Sequence, residues 1–187
     1  MTLRIAALLA VAACAATPKA PARPTAGVRA EIEQAEQAER ARKHDVAREH
    51  YQRAVAAARD PDSIALARYE FAATLMSWGE VPEAIAQLEG VVAAKPDHAA
   101  AWHDLGILRH HQGNDAAATA ALERARSLAP RDPRPRIALA ALRWKRGETA
   151  AAAAEYRALL DLDLPPNLRD KVKWALGQLA RVDHGQH

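Results

Sequence analysis

The sequence has little of what holds many small proteins together. Cys14 is the single cysteine in 187 residues, so an intrachain disulfide and a Cys-x-x-Cys redox or zinc motif are excluded. Aromatic residues make up only 4% of the chain and there are only 8 glycines. The net charge is small, +3 from 26 basic and 23 acidic residues, and the charges are interspersed. No basic run with interleaved aromatics occurs, so we expect no nucleic-acid binding.

Alanine, in contrast, is abundant: 48 residues, about a quarter of the chain. Alanine is the best helix former and fits poorly in strands. This composition excludes a β-sandwich, a barrel or an α/β sheet, as well as a large core of bulky side chains. It predicts an all-α protein whose helices approach each other over small residues.

The N-terminus has the pattern of an export signal. Arg4 precedes an uninterrupted apolar run over residues 5–13. Nine residues are too few to span a bilayer as a helix, which takes about 20, but they fit the apolar region of a signal peptide. An ordinary secretory signal and a cytosolic protein with an apolar N-terminus remain the alternatives.

The last residues of this run, Val11-Ala12-Ala13-Cys14, resemble the lipobox of bacterial lipoproteins. The resemblance implies a signal peptide over residues 1–13, cleavage before Cys14 and acylation of that cysteine. Two or three acyl chains there would anchor the protein stably in a membrane. Residues 14–27, rich in proline and alanine, then form an extended tether. Since the residue after Cys14 is not aspartate, resemblance to proteobacterial lipoproteins implies the outer membrane, facing the periplasm.

Several residue types recur at an interval of 34 residues, which indicates an internal repeat. The columns are glycine, alanine, leucine or tyrosine, and proline: Gly79, Gly113 and Gly147; Ala84, Ala118 and Ala152; Leu88, Leu122 and Tyr156; Pro96 and Pro130.

The best copy of the repeat begins Trp102-x-x-Leu105-Gly106 and continues through Ala118, Leu122, Ala125 and Pro130. It resembles the tetratricopeptide repeat, from which it departs at Arg109 and Leu122. The resemblance implies a right-handed solenoid of about four helix-turn-helix repeats, with the recurring glycines in the turns at positive φ.

We expect the solenoid to occupy residues 28–183. The repeats are 28–61, 65–98, 99–132 and 133–166, with residues 62–64 as an insertion. A capping helix follows over residues 167–183, with Asn167 as the expected N-cap. Its Leu176-Gly177 repeats the dipeptide Leu105-Gly106, so the alternative is a fifth first helix that lacks its second helix, and this segment caps the fourth repeat in either case. Residues 184–187 form a tail.

In tetratricopeptide solenoids the first helices of the repeats line a concave groove, at positions 2, 5, 9, 12 and 13 of each repeat. These positions predict a mixed apolar and basic partner-binding groove, with aromatic side chains as anchors. Its residues are Leu66, Tyr69, Met76, His103, Ile107, His110, Arg134, Ile137, Trp144 and Lys145. We expect the other tryptophans, Trp78, Trp102 and Trp174, to pack within the solenoid. The Lys/Asn pattern that recognises acidic chaperone tails is absent at these positions.

We predict no metal site, no cofactor and no catalysis. His103 and His110 lack an acidic i+4 partner to complete a chelate. No nucleophile elbow, P-loop or GxGxxG motif occurs, and helix-borne acids such as Glu123 and Glu155 are typical of solvated faces. The resulting hypothesis is a non-catalytic scaffold, anchored in the bacterial envelope, that binds a protein or peptide. It resembles in organisation the repeat lipoproteins that assist envelope assembly. The alternatives are a carrier of a small hydrophobic ligand and a soluble secreted adaptor, and the oligomeric state stays open.

Overall fold

The computed structural model describes residues 26–183. The signal peptide, Cys14, most of the tether and the tail therefore lie outside the described residues. The described residues form nine α-helices and no strand: α1 (Ala26–Arg40), α2 (His44–Ala57), α3 (Pro61–Trp78), α4 (Val81–Ala94), α5 (Ala99–His111), α6 (Asp115–Leu128), α7 (Pro133–Lys145), α8 (Thr149–Leu160) and α9 (Pro166–Asp183).

Each odd-numbered helix pairs with the even-numbered helix that follows it, and the pairs stack in chain order. Helix α9 packs on α8 and ends the described stack. The predicted all-α solenoid of four helix-turn-helix repeats and a C-terminal capping helix is therefore confirmed. Ala26 and Gly27, which we assigned to the tether, lie in the first turn of α1. No helix within residues 26–183 combines the length and apolarity needed to cross a membrane.

Glycine at positive φ ends the first helix of repeats two to four, as predicted. The φ angles are 80° at Gly79, 79° at Gly113 and 77° at Gly147. Arg42 takes the same place in the first repeat with φ 57°, and it is the one non-glycine residue of the described chain at positive φ. The N–H of Lys43 donates to the carbonyl of Ala38, five residues earlier, at 2.9 Å. The residue after each of the three glycines makes the equivalent hydrogen bond in its own repeat.

Small residues lie where paired helices come closest. Ala72 and Ala140 are fully buried, and Gly106 is buried at the equivalent position of α5. A Cβ atom on Gly106 would lie 2.6 Å from Leu122 Cγ and 3.2 Å from the carbonyl oxygen of Ala118. The close approach of helix pairs over small side chains, predicted from the alanine columns, is therefore confirmed.

Residues 62–64, the expected insertion, lengthen α3 by one turn at its N-terminus. Asp60 caps this turn by accepting the N–H of Ser63 at 2.9 Å, and Pro61 takes the first helical position. Helix α9 has the same length as α3, 18 residues, and it also begins with proline. Its first turn includes Asn167, so Asn167 is not the N-cap that we predicted.

The match in length between α3 and α9 sets the register of α9. Gly177 lies eleven residues after the start of α9, as Ala72 does in α3. Gly177 is exposed, and a Cβ atom there would have nothing within 4 Å, because no helix in the described chain follows to cover it.

Glu155 corrects a prediction, because its carboxylate is buried rather than solvated. The residue is 4% exposed and lies on the buried stripe of α8, three residues after Ala152. Arg126 of α6 and two arginines of α7 donate to it, Arg136 at 3.1 Å and Arg143 at 2.9 Å. This ionic cluster ties the third repeat to the fourth.

Candidate functional site

The odd-numbered helices form the candidate site, which we call the inner face. Helix α1 packs beside α3, and α5 beside α7. Of the ten predicted groove residues, Arg134 and Lys145 are exposed and the other eight are partly buried. The structure distributes nine of them over a polar cluster and three grooves, and Met76 packs against the core instead.

The polar cluster brings together three of the predicted residues, Tyr69, His103 and Arg134. The Tyr69 hydroxyl donates to Asp104 Oδ2 at 2.8 Å, and His103 Nδ1 lies 3.0 Å from the other oxygen of that carboxylate. Arg134 pairs with Asp132 at 2.6 Å. Burial, and then the contact with Asp104, raises the pKa of Tyr69 well above its usual range. Since the Tyr69 hydroxyl is engaged between α3 and α5, only part of its ring remains for a partner.

A first apolar groove of about 240 Å³ lies between α5 and α7, which we call the α5–α7 groove. Ile107, His110 and Lys145 line it together with exposed Ala141. His110 Nδ1 lies 2.6 Å from Asp115, and this contact lowers the pKa of the Asp115 carboxyl. The floor of this groove is therefore apolar, and its charged groups are at the rim.

A second groove of about 280 Å³ lies between α7 and α9, which we call the α7–α9 groove. Ile137 and Trp144 come from α7, and the Trp144 ring meets the Tyr156 ring edge-on at 6.3 Å. Trp174 lies 6.4 Å from Trp144 and is 63% exposed. Our expectation that Trp174 packs within the solenoid is therefore wrong.

The sequence analysis assigned no groove residue to α9, although a fifth first helix was one of its two interpretations of this segment. In the register that α9 shares with α3, Lys171 corresponds to Leu66 and Trp174 to Tyr69. The signal was present in the sequence, since Leu176-Gly177 repeats the dipeptide at the equivalent place in α5. With this register, α9 is a fifth inner helix rather than only a cap.

The N-terminal end of the inner face has a different character. Leu66 lies in a groove of about 190 Å³ between α1 and α3, lined also by Glu36 and Glu70. Burial, followed by the charges of Glu36 and Glu39, raises the pKa of the Glu70 carboxyl. Met76 is partly buried against the core of the first three repeats, so little of it faces outward.

Two other tryptophans pack as predicted. Trp102 lies against the core of the first three repeats and donates its Nε1–H to the Pro96 carbonyl at 3.0 Å. Trp78 stacks on His44 at 4.8 Å, with the Arg48 guanidinium 5.4 Å from its ring centre. Within residues 26–183 no three His, Cys, Asp or Glu side chains come together as metal ligands would.

The comparisons with known proteins bear on the fold. No protein-family model matches the sequence, and no curated protein matches it. The crystal structure of the MamA protein matches with a TM-score of 0.72 at 19% identity, over 86% of this chain and 84% of that one. Pseudomonas aeruginosa pilF matches with a TM-score of 0.68 at 19% identity, over 84% of this chain and 69% of that one.

A third match is a peptide complex. The first TPR of Spaghetti (RPAP3), bound to the HSP90 peptide SRMEEVD, matches with a TM-score of 0.55 at 18% identity. The match covers 62% of this chain and 93% of that one. Together with the repeat geometry, these similarities show that the described chain has the fold of tetratricopeptide-repeat solenoids.

Proposed function

We propose that this protein is a non-catalytic scaffold that holds a segment of another protein on its inner face. The observation that carries the proposal is the continuation of this face over five helices, ending in Trp174, 63% exposed beside Trp144. Large aromatic side chains on a concave surface are frequent anchors of protein partners. The similarity to a tetratricopeptide repeat bound to an HSP90 peptide supports peptide binding as the use of such a surface.

We further propose that the scaffold is anchored in a bacterial envelope, in the outer membrane facing the periplasm. Support comes from the lipobox-like residues Val11 to Cys14, which lie outside the described residues. Metabolic labelling with a fatty acid tests the anchor. We expect label on the wild-type protein and none on Cys14→Ala, and an unlabelled wild type would refute the anchor.

The inner face is tested by photocrosslinking in cells from exposed alanines, which can be replaced without disturbing a core. Ala73 of α3 and Ala141 of α7 lie on the inner face, whereas Ala120 of α6 and Ala154 of α8 are exposed on outer helices. We expect a photoreactive residue to crosslink a partner from at least one of the inner positions and from neither of the outer ones. Equal crosslinking from the outer positions would contradict the assignment.

The carrier alternative finds less support in the cavities. The α7–α9 groove has about 280 Å³ and opens to solvent beside exposed Trp174. Pockets that enclose small ligands usually have about 300–1,000 Å³ and bury most of the ligand surface. An open groove of this size fits one or two side chains of a partner protein better.

A further inference from the structure

The charge of the inner face changes sign along the solenoid. Helix α1 carries four glutamates against two arginines, and in the groove between α1 and α3 three glutamates outnumber one arginine: Glu33, Glu36 and Glu70 against Arg29. Helix α7 has no acidic residue. Its arginines are all paired, Arg136 and Arg143 with Glu155 and Arg134 with Asp132, so within the described chain the positive charge that it leaves open is that of Lys145. Lys171 lines the groove formed with α9. The inner face is therefore acidic at its N-terminal end and basic at its C-terminal end.

Apolar surface is concentrated at the basic end. The α5–α7 and α7–α9 grooves lie on either side of α7, whereas in the groove between α1 and α3 three glutamates and Arg29 surround Ile32 and Leu66. Among residues 26–183 the large apolar side chains that stay exposed are Val46, Trp174 and Val182. Trp174 and Val182 are both on α9, at places equivalent to Tyr69 and Ser77 of α3.

The lysines at this end are available to a partner. Within the described chain neither Lys145 nor Lys171 forms an ion pair, and both are exposed at the rims of the two grooves. Asp115, which is near Lys145, is already in contact with His110 at 2.6 Å. An ammonium group next to apolar surface attracts a carboxylate on the partner, and the glutamates at the far end repel one.

From this juxtaposition we infer that the partner is an acidic protein segment with bulky apolar side chains, seated across the C-terminal end of α7. The inference rests on the proposed scaffold function and names the chemistry of its partner. One apolar side chain enters the α5–α7 groove and another enters the α7–α9 groove. The grooves lie on opposite sides of one helix, so these side chains are about 10 Å apart. Asp or Glu residues beside them meet Lys145 and Lys171.

The probe is a library of random 12-residue peptides displayed on phage and selected on the full-length protein. We expect enriched peptides to combine bulky apolar residues with an excess of Asp and Glu. A synthetic copy of an enriched peptide is then titrated by fluorescence anisotropy. Replacing its Asp and Glu by Asn and Gln should weaken binding by at least about tenfold, since this removes the charge contacts with both lysines and a factor of ten corresponds to only about 1.4 kcal/mol.

A matched pair of variants locates the contact. Lys171→Glu and Lys173→Glu make the same charge change on exposed residues of α9, but only Lys171 lines the groove. We expect Lys171→Glu to weaken binding about tenfold and Lys173→Glu to weaken it less than about twofold. Trp174→Ala, on a side chain 63% exposed, should also weaken it about tenfold without unfolding the protein.

The outcomes separate the inference from the proposed function. Enriched peptides that are basic, or equal effects of the two lysine variants, would overturn the inference. Peptides whose binding depends on Leu66 at the acidic end, and not on Trp174, would also overturn it while leaving the scaffold function in place. A selection that enriches no peptide would count against the scaffold function itself.

Discussion

Two glycines that follow leucine in equivalent helices should respond in opposite ways to the same substitution. Gly106 lies in α5 against α6, and Gly177 lies exposed in α9. We predict that Gly106→Ala destabilises the protein and that Gly177→Ala stabilises it. The two changes are chemically identical and both occur inside helices, so the difference isolates the effect of tertiary packing.

The magnitudes follow from the space around each Cβ atom. Alanine is favoured over glycine in a helix interior by about 1 kcal/mol. At Gly177 nothing lies within 4 Å of the new atom, so this gain should be kept in full. At Gly106 the new atom would lie 2.6 Å from Leu122 Cγ and 2.9 Å from Leu122 Cδ2. Leu122 is 1% exposed and cannot withdraw, so overpacking should cost about 1–3 kcal/mol and exceed the gain.

The assay is thermal and urea unfolding followed by circular dichroism at the helical band. For a domain of this size 1 kcal/mol corresponds to about 2–4 °C in Tm. We expect Tm to rise by about this amount for Gly177→Ala and to fall by at least as much for Gly106→Ala. Adding Leu122→Ala to Gly106→Ala provides a control, because a smaller side chain there removes the clash and should give a favourable coupling between the two changes.

A stabilising effect of Gly106→Ala would refute the close approach of α5 and α6 at this glycine. A destabilising Gly177→Ala would show that α9 is covered at that position, and would refute its assignment as an inner helix without a following partner.

Three further changes test other parts of the fold by urea unfolding. Glu155→Gln should destabilise the protein by about 3 kcal/mol, because it leaves three arginines around a buried site without their carboxylate. The control is Glu89→Gln, whose side chain is 53% exposed in its ion pair and whose loss should cost about 0.5 kcal/mol or less. Equal losses of stability would contradict the buried cluster. Arg42→Gly should stabilise the folded protein by about 0.5–1 kcal/mol, since an L-residue at φ 57° is strained. The same change at Arg53, inside a helix, should destabilise it by about 1 kcal/mol. A loss of stability at both sites would argue against the strain. Burial lowers the pKa of His98, whose ring caps α5, from the usual 6.5. Below about pH 6.5 the unfolded chain therefore binds a proton that the folded chain does not, and stability falls as the pH falls towards the folded pKa. His98→Asn should reduce the loss of stability between about pH 7 and 5, and an unchanged pH profile would exclude this contribution.

Much of the fold could be predicted from the sequence because a repeat places the same residue under the same constraint several times. Gly79, Gly113 and Gly147 mark turns at positive φ, which side chains disfavour, so their spacing carries the repeat length. The first repeat lacks that signal, because Arg42 adopts the same conformation without being glycine. The register of α9 was harder to predict, since one additional N-terminal turn shifts its residues as it does in α3.

The candidate site was less predictable than the fold. Spacing alone assigns Tyr69 and Trp144 to one face, but it does not reveal that the Tyr69 hydroxyl is engaged by Asp104 while Trp144 borders an open groove. Such differences depend on which side chain a neighbouring helix brings into contact. Sequence spacing within one helix carries no information about that neighbour.

By itself, the sequence determined the helices, their turns and the small residues over which they meet, because these follow from local propensity and from a period of 34 residues. Only the tertiary structure decided which residues of the same type are buried and which are exposed. Glu155 is buried because three arginines from two other helices surround it. Gly106 is covered and Gly177 is open, although both follow leucine, because a second helix packs on α5 and none in the described chain packs on that side of α9. Burial is a property of the neighbours, and the neighbours are set only when the chain is folded.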